Sequence, residues 1–232
     1  MASSSSTSNM LDELCFRIMF NQNLHEELVS KKKITPEVTF NLEEDKYPSI
    51  KEHIALRGWR RLASPRTKVT KWMIQQFYAN AVQSDEEMGQ GWIKFSKTSA
   101  SPLSSGQPTQ PIQLRRAELN HLARGWHEFI IHSIMPTGNK SEITVARAIL
   151  IHSIIRGEDV RAEEIIADNI AMIAQGMQGK NNLAFPSTIF KLCKDAEVSM
   201  HEFSGGELIP QDKLITARLM ETTRFGRNVQ VQ

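Results

Sequence analysis

Apolar residues recur along much of the chain at intervals of three and four positions, the spacing of one face of an α-helix. Pro48 suits the first position of one such helix, because its missing N–H has no helical partner there. Gly58 suits the end of the same helix, because glycine tolerates left-handed backbone. The pattern predicts a helical N-terminal half over residues 11–95, whose helices carry the apolar sets Leu11, Leu14, Cys15 and Ile18, then Ile50 and Ile54, then Val69, Trp72, Met73 and Phe77.

A second series of helical patterns covers residues 112–203 and begins with a helix predicted over Arg115–Ile134. The helix predicted over Ile143–Arg156 is apolar almost all round, which is typical of a central, buried helix. We therefore expect a mainly α fold, an orthogonal helical bundle around Ile143–Arg156, in two helical halves joined by a Ser/Pro-rich linker. The other apolar faces of this half are Leu119, Leu122, Trp126, Phe129 and Ile130, then Ala162, Ile165, Ile166, Ile170 and Ile173, then Ile189, Phe190 and Cys193.

Three segments depart from this helical pattern. Residues 96–111 are rich in Ser, Pro, Gly, Thr and Gln, which is the composition of a flexible linker. Residues 1–10 are rich in Ser and have neither the basic residue nor the apolar core of a secretory signal, so we expect a disordered leader. Residues 204–232 have a mixed pattern and are predicted to form a weakly structured tail.

Charge, cysteine content and the length of apolar runs indicate which ligands and which cellular compartment suit this protein. The 28 basic and 26 acidic residues nearly cancel, so nucleic-acid binding would require a local basic patch. The two cysteines are far apart in sequence and cannot form a zinc site, which suits a reducing compartment. The most apolar run, residues 143–155, is shorter than the roughly 20 residues that span a bilayer. We expect an intracellular protein of the nucleus or cytoplasm, with no secretory signal and no membrane association.

The sequence carries none of the common catalytic motifs. It has no Gly-rich phosphate loop after a strand, no H-E-x-x-H helix and no G-x-S-x-G turn. His127 and His132 do not have the spacing of two metal ligands on one helix face, and we interpret both as surface or core-edge residues. His152 lies in the apolar helix and is interpreted as a buried structural histidine rather than a catalytic one. We predict no enzyme, no cofactor and no catalytic, cofactor-binding or metal-binding residue, and we interpret three acidic groups as solvated faces: Glu43–Asp45, Asp85–Glu87 and Glu163–Glu164.

One local charge feature is a candidate for function. The stretch Arg57–Lys71, here called the basic run, contains six bases and no acid, with an interleaved tryptophan. Such a pattern can bind phosphates and stack on bases. In the other interpretation the tryptophans are core anchors and the bases are solvated, which the place of Trp72 on an apolar stripe favours. The candidate nucleic-acid-binding residues are Arg57, Trp59, Arg60, Arg61, Arg66, Lys68 and Lys71.

Four segments in order resemble a known family. The first two, "YPSIKEHIALRGWRRL" and "VTKWMIQQFYANAV", carry a Gly-Trp pair followed by a Phe-Tyr-Ala-Asn helix. They are followed by "WHEFIIHSIMPTGNKSEITVARAILIHSIIRGEDVRAEEIIADNI" and "LAFPSTIFKLCKDAEV". Over residues 16–198 the chain is similar to the plant transposon protein domain family, which has no defined activity. The resemblance implies an origin in a plant mobile element and brings no catalytic residue with it.

Two functional hypotheses remain open at this point. The first is a non-enzymatic, retroelement-derived helical domain for protein interaction or assembly, whose partner is another protein or a second copy of the chain. The alternative is a nucleic-acid-binding accessory module that uses the basic run to bind DNA or RNA. Neither the Y-x-D-D motif of a reverse transcriptase nor the D-[ST]-G motif of a retroelement protease is present.

Overall fold

A computed structural model of the chain describes residues 16–42, 47–65, 68–82, 114–176 and 182–198, and the backbone of residues 207–208 and 211–215. The described part is mostly helical, which confirms the predicted mainly α fold. The predicted leader, residues 1–10, and the predicted linker, residues 96–111, lie outside it. The helices are α1 (Met19–Glu27), α2 (Pro48–Leu56), α3 (Arg60–Ala63), α4 (Lys71–Ala81), α5 (His121–Ser133), α6 (Val145–Ile155), α7 (Ala162–Gln175) and α8 (Pro186–Asp195).

Short segments of other regular structure connect these helices. Two are 3-10 turns, η1 (Val29–Lys31) and η2 (Arg116–Glu118). The strands are β1 (Val38–Leu42), β2 (Val69–Thr70), β3 (Leu114–Arg115), β4 (Glu142–Ile143), β5 (Glu207–Leu208) and β6 (Gln211–Ile215). β1 pairs in parallel with β6, whereas β2 with β5 and β3 with β4 form antiparallel pairs.

The chain divides into two compact units, and each unit combines segments that are far apart in sequence. The first contains the described parts of Met1–Thr35, Val69–Ser99 and Ile170–Leu208. The second contains the described parts of Pro36–Lys68, Ala100–Asn169 and Ile209–Gln232. The halves predicted as residues 11–95 and 112–203 therefore each contribute segments to both units.

In the first unit, buried polar side chains join helices through backbone carbonyls. The Nδ2 atom of Asn21 in α1 donates to the carbonyl oxygens of Ala79 and Val82, each at 2.9 Å. These carbonyls lie at the C-terminal end of α4, where helical acceptors have no intrahelical partner. The Tyr78 hydroxyl donates to the carbonyl of Ala184 at 3.0 Å. α4 is thus tied to α1 and to the segment that precedes α8.

In the second unit, α5 supplies the centre of the core. Phe129 is fully buried and contacts three aromatic rings, with centroid distances of 5.9 Å to Trp59, 5.3 Å to Phe40 and 5.8 Å to Trp126. α5 begins at His121 because the Oδ1 atom of Asn120 accepts from the N–H of Ala123 at 2.9 Å. The helix predicted to begin at Arg115 therefore begins later, at His121. The first residues of the predicted helix belong to β3 and η2 instead.

The prediction that Ile143–Arg156 is the central helix is wrong. Val145 is 58% exposed and Ile149 is 61% exposed, and α6 buries only Leu150, Ile151 and Ile154. Hydrophobicity all round a helix predicts burial only if both faces are covered, and in this unit one face of α6 packs against α5 while the other remains in solvent.

Candidate interaction surface

Local sequence signals define the start and end of α6. The Thr144 hydroxyl oxygen accepts from the N–H of Arg147 at 3.4 Å, so Thr144 caps the N-terminus. Gly157 follows the helix with φ at 74°, a backbone conformation that glycine adopts without the steric cost of a side chain. The result is a helix of 11 residues with a well-defined outward face.

The outward face of α6 combines apolar and polar side chains. Val145, Ile149, His152 and Arg156 recur at intervals of four, three and four, so they lie on one side of the helix, and all four are exposed. We call this set the α6 stripe. Ile155, 36% exposed, lies beside it. Single exposed aliphatic residues are ordinary, but two on successive turns of one helix form a patch that water solvates poorly.

Charged residues lie at and beyond both ends of α6. Lys140 and Glu142 precede α6, and Arg156 and Glu158 follow it, and all four are exposed. The Oε2 atom of Glu142 accepts from the Nδ2 atom of Asn139 at 2.8 Å. Each end of the stripe therefore presents one acid and one base next to its apolar centre.

The second unit also contains a buried ion pair. The Oε1 atom of Glu128 lies 3.0 Å from the Nε atom of Arg116, and its Oε2 atom lies 3.6 Å from the Nε2 atom of His132. The Glu128 side chain is almost completely buried. Because Arg116 belongs to η2 and Glu128 to α5, the pair holds these two elements together. Sequence analysis missed the pair, since no motif links an arginine and a glutamate on separate elements.

The structure corrects two histidine predictions. His127, predicted at the surface or the core edge, is fully buried, and burial lowers its pKa to about 4. His152, predicted to be buried, is exposed on the α6 stripe. The reason is the same as for the two helices: α5, not α6, lies in the core of the unit.

The tryptophan of the basic run lies in the core. Trp59 is 6% exposed and its ring stacks on Phe129 with an interplanar angle of 16°. The Arg57 guanidinium carbon lies over the same ring, 5.2 Å from the ring centroid. Its NH2 atom donates to the carbonyl oxygen of Glu158 at 2.7 Å. The Trp59 ring is therefore not accessible for stacking on a base.

The basic side chains of the run are distributed over both units. Arg60 and Arg61 are exposed next to each other on α3, and Lys68 is exposed in the same unit. Lys71 is exposed at the start of α4, in the other unit. Arg66 lies outside the described residues. Arg60 and Arg61 are thus the exposed members of the run that lie next to each other in the second unit.

Within the described residues, no three histidine, cysteine or acidic side chains are grouped so that they could hold a metal ion. None of the described helices has the length and apolar character needed to cross a membrane.

The chain matches a known protein family. A family model described as "Putative plant retrotransposon-related domain" matches residues 55–199, which is more than half of the chain. The matched region includes α5, α6 and the buried pair of Arg116 and Glu128. No curated protein and no solved structure matches the chain.

Proposed function

The chain belongs to the family of plant retrotransposon-related domains, and we propose that it acts as a non-enzymatic domain for protein interaction or assembly. The observation that carries this proposal is the α6 stripe. Its two aliphatic side chains, Val145 and Ile149, are each more than half exposed, in a unit whose described phenylalanine and tryptophan residues are buried. A partner that covers them would remove apolar surface from water.

The size and chemistry of the stripe support a contact surface. Full burial of one valine or isoleucine side chain stabilises a complex by about 1.5–3 kcal/mol relative to exposure. The charged residues Glu142 and Arg156 lie at the edge of the apolar centre, as at protein interfaces, where the rim is polar and stays partly hydrated. A surface of this kind gives both affinity and a preferred orientation.

The buried titratable groups support the non-enzymatic part of the proposal. A catalytic site requires ionisable groups that converge on a cleft. Glu128 instead forms an ion pair with Arg116 inside the unit, and His127 is buried among the core residues of α5. The Glu128 carboxylate is thus committed to a structural contact, and the His127 ring is closed off from solvent.

A photo-crosslinking amino acid at position 149, in the full chain expressed in plant cells, tests the interaction. We expect one adduct of discrete mass, lost when Val145→Glu places a charge on the same stripe. The matched control is the crosslinker at Glu163, an exposed position on α7, where no such adduct should form. Absence of an adduct at 149, or an equal adduct at 163, would contradict the proposal.

The exposed pair Arg60 and Arg61 supports a second candidate function, nucleic-acid binding. Two adjacent exposed guanidinium groups on α3 can contact successive phosphates. With Trp59 buried, the contacts would be to the backbone of DNA or RNA, and they would carry affinity without sequence preference.

A salt titration tests this second candidate. Fluorescence anisotropy with a labelled DNA and a labelled RNA should show binding that weakens steeply as salt rises, and the double variant Arg60→Glu and Arg61→Glu should abolish it. The double variant Lys33→Glu and Lys51→Glu, at exposed positions elsewhere, has the same net charge and should keep most of the affinity. No binding at low salt, or equal losses in both variants, would eliminate this function.

A further inference from the structure

We propose that the second unit contains a binding site for a small oxyanion, a phosphate group, between Arg116 of η2 and Arg147 of α6, with His127 of α5 on its inner side. The site is separate from the α6 stripe, because Arg147 lies on the opposite side of α6. Its basis is a cluster of polar side chains in which buried donors lack acceptors and positive charge exceeds negative charge.

One side of α5 carries the polar residues of this cluster. Arg124, His127, Glu128 and His132 recur at intervals of three, one and four, so they lie on the same side of the helix. The first three are buried, and the His132 side chain is almost completely buried. The Nε atom of Arg116 lies 3.0 Å from the carboxylate of Glu128, so η2 adds a second guanidinium group beside this side of α5.

α6 brings a third guanidinium group to the same place. Arg147 precedes the buried residues Leu150 and Ile151 by three and four positions, so it lies on the side of α6 that packs against α5. Burial is the main cause that lowers the pKa of His127, and the positive charges of Arg116 and Arg147 lower it further. Both guanidinium groups therefore act on the His127 ring from nearby.

Three buried nitrogen atoms of His127 and Arg147 have no hydrogen-bond partner among the described residues. They are Nδ1 and Nε2 of His127 and Nε of Arg147. A neutral imidazole carries one N–H donor, and the Nε atom of arginine is always a donor. Buried donors in folded proteins are nearly always satisfied, by protein groups or by a bound water or ion. Acceptor oxygens at this place would satisfy both side chains.

The balance of charge favours an anion over a water molecule as the source of these oxygens. The cluster contains three guanidinium groups, those of Arg116, Arg124 and Arg147, and one carboxylate, that of Glu128. A single carboxylate does not compensate three cations that are removed from water. Arg147 also lies in the first turn of α6, which has no acidic residue and where the helix N–H groups add partial positive charge. A bound anion reduces this excess.

The geometry of the donors and their exposure indicate a phosphate group. The planar guanidinium group matches two oxygens of an oxyanion with two parallel N–H groups. Arg116 and Arg147 are partly exposed whereas His127 is fully buried, so the ligand enters from the side of the two arginines. An entrance of this kind suits a free or terminal phosphate better than a phosphate inside a nucleic-acid chain. Two charge-assisted contacts correspond to a dissociation constant on the order of 1 mM.

Thermal unfolding of the full chain in sodium phosphate tests the site. Phosphate is raised to about 20 mM at pH 7, with the ionic strength held constant by sodium chloride, and the unfolding temperature should rise by about 5 °C and approach saturation. Adenosine 5′-monophosphate distinguishes the source of the phosphate group. An equal rise shows that the site accepts a terminal phosphate, and a rise with inorganic phosphate alone shows that it accepts the free anion.

Substitution of Arg147 locates the effect. Arg147→Met removes the charge and keeps most of the length of the side chain, so it should abolish the rise in phosphate. In chloride this variant should unfold at a temperature no lower than that of the unaltered chain, because it removes a partly buried cation that lacks compensation. Arg147→Lys keeps the charge without the planar donors and should weaken phosphate binding about three- to tenfold. The matched control Arg156→Met, on the outward side of α6, should keep the full rise.

Three results would overturn the site. The first is an unfolding temperature that does not differ between phosphate and chloride at equal ionic strength. The second is an equal rise in Arg147→Met and the unaltered chain, or a rise without saturation, which would be the general effect of phosphate as a stabilising salt. The third is a lower unfolding temperature of Arg147→Met in chloride, which would show that the charge of Arg147 is already compensated within the fold.

Discussion

The carboxylate of Glu128 lies 3.0 Å from the Nε atom of Arg116, with the acid almost fully buried and the base at the edge of the unit. A charge removed from water is stable only when an opposite charge or hydrogen-bond donors compensate it. This pair therefore links η2 to α5, beside the hydrogen bond that the NH2 atom of Arg124 donates to the carbonyl oxygen of Ala117.

Replacement of one member of this pair should destabilise the protein. We expect Glu128→Gln to lower the free energy of unfolding by about 2–3 kcal/mol, because the buried site loses the negative charge that faces Arg116 and His132. Chemical denaturation at pH 7 measures the change. The control Glu163→Gln, at an exposed position of α7, should change the free energy by less than about 0.5 kcal/mol. Similar losses of unfolding free energy in both variants would show that the ion pair does not stabilise the fold.

The buried His127 should make stability depend on pH. Burial lowers its pKa from 6.5 to about 4, so between these values the unfolded chain binds a proton that the folded chain does not. The free energy of unfolding therefore keeps its full value above pH 6.5. It falls by about 3 kcal/mol in total as the pH decreases toward 4, because the unfolded chain gains the proton first.

Urea unfolding at pH 7 and pH 4 checks this dependence. The variant His127→Leu should lose less stability between the two pH values than the unaltered chain, by about 3 kcal/mol. His152→Leu, which changes an exposed histidine of the α6 stripe, should keep the full dependence. The interpretation is wrong if the two variants respond to pH alike.

Replacement of Gly58 by alanine should destabilise the protein, because Gly58 has left-handed backbone. Gly58 follows α2 with φ at 69°, and nothing lies within 4 Å of an added Cβ atom. The cost of Gly58→Ala is therefore conformational, about 1–2 kcal/mol in the free energy of unfolding. Gly138 also has open space around it but has no positive φ, so Gly138→Ala should be close to neutral. Thermal unfolding of the two variants measures both effects. An equally mild effect at both glycines would refute this account.

The buried amide of Asn21 should be sensitive to loss of its donor. Asn21→Asp turns a group that donates to the carbonyls of Ala79 and Val82 into an acceptor that faces two acceptors. We expect the free energy of unfolding at pH 7 to fall by about 3 kcal/mol, with partial recovery at low pH, where the new carboxyl is protonated and can donate. Asn23→Asp, at an exposed position of the same helix, is the control. Equal losses in urea unfolding of the two variants would count against a role for the buried amide.

Helix boundaries were predictable where a residue type has one local role. Pro48 begins α2, and Gly58 follows its end in left-handed backbone. Pro186 begins α8 in the same way. The apolar sets on these helices were also recognisable, because they follow from the number of residues per turn.

For some residues of the candidate surfaces, the sequence pattern predicts the opposite of the burial that the structure shows. Val145 and Ile149 belong to the helix Ile143–Arg156, whose hydrophobicity predicts burial, yet both side chains are exposed. Trp59 was one of the candidate nucleic-acid-binding residues, and its ring lies against Phe129 instead. In each case the residue type was informative, but its surroundings come from segments distant in the chain.

The sequence alone determined the starts of α2 and α8 and which apolar residues of a helix share a face, because capping, backbone freedom and helical periodicity act within a few residues. Only the tertiary structure decided which face is covered. α5 and α6 are both rich in apolar residues, but α5 is surrounded by aromatic residues from β1, from the segment after α2 and from its own turns. α6 has such a neighbour on one side, and its other side remains exposed. Burial is a relation between distant segments, and no local pattern contains it.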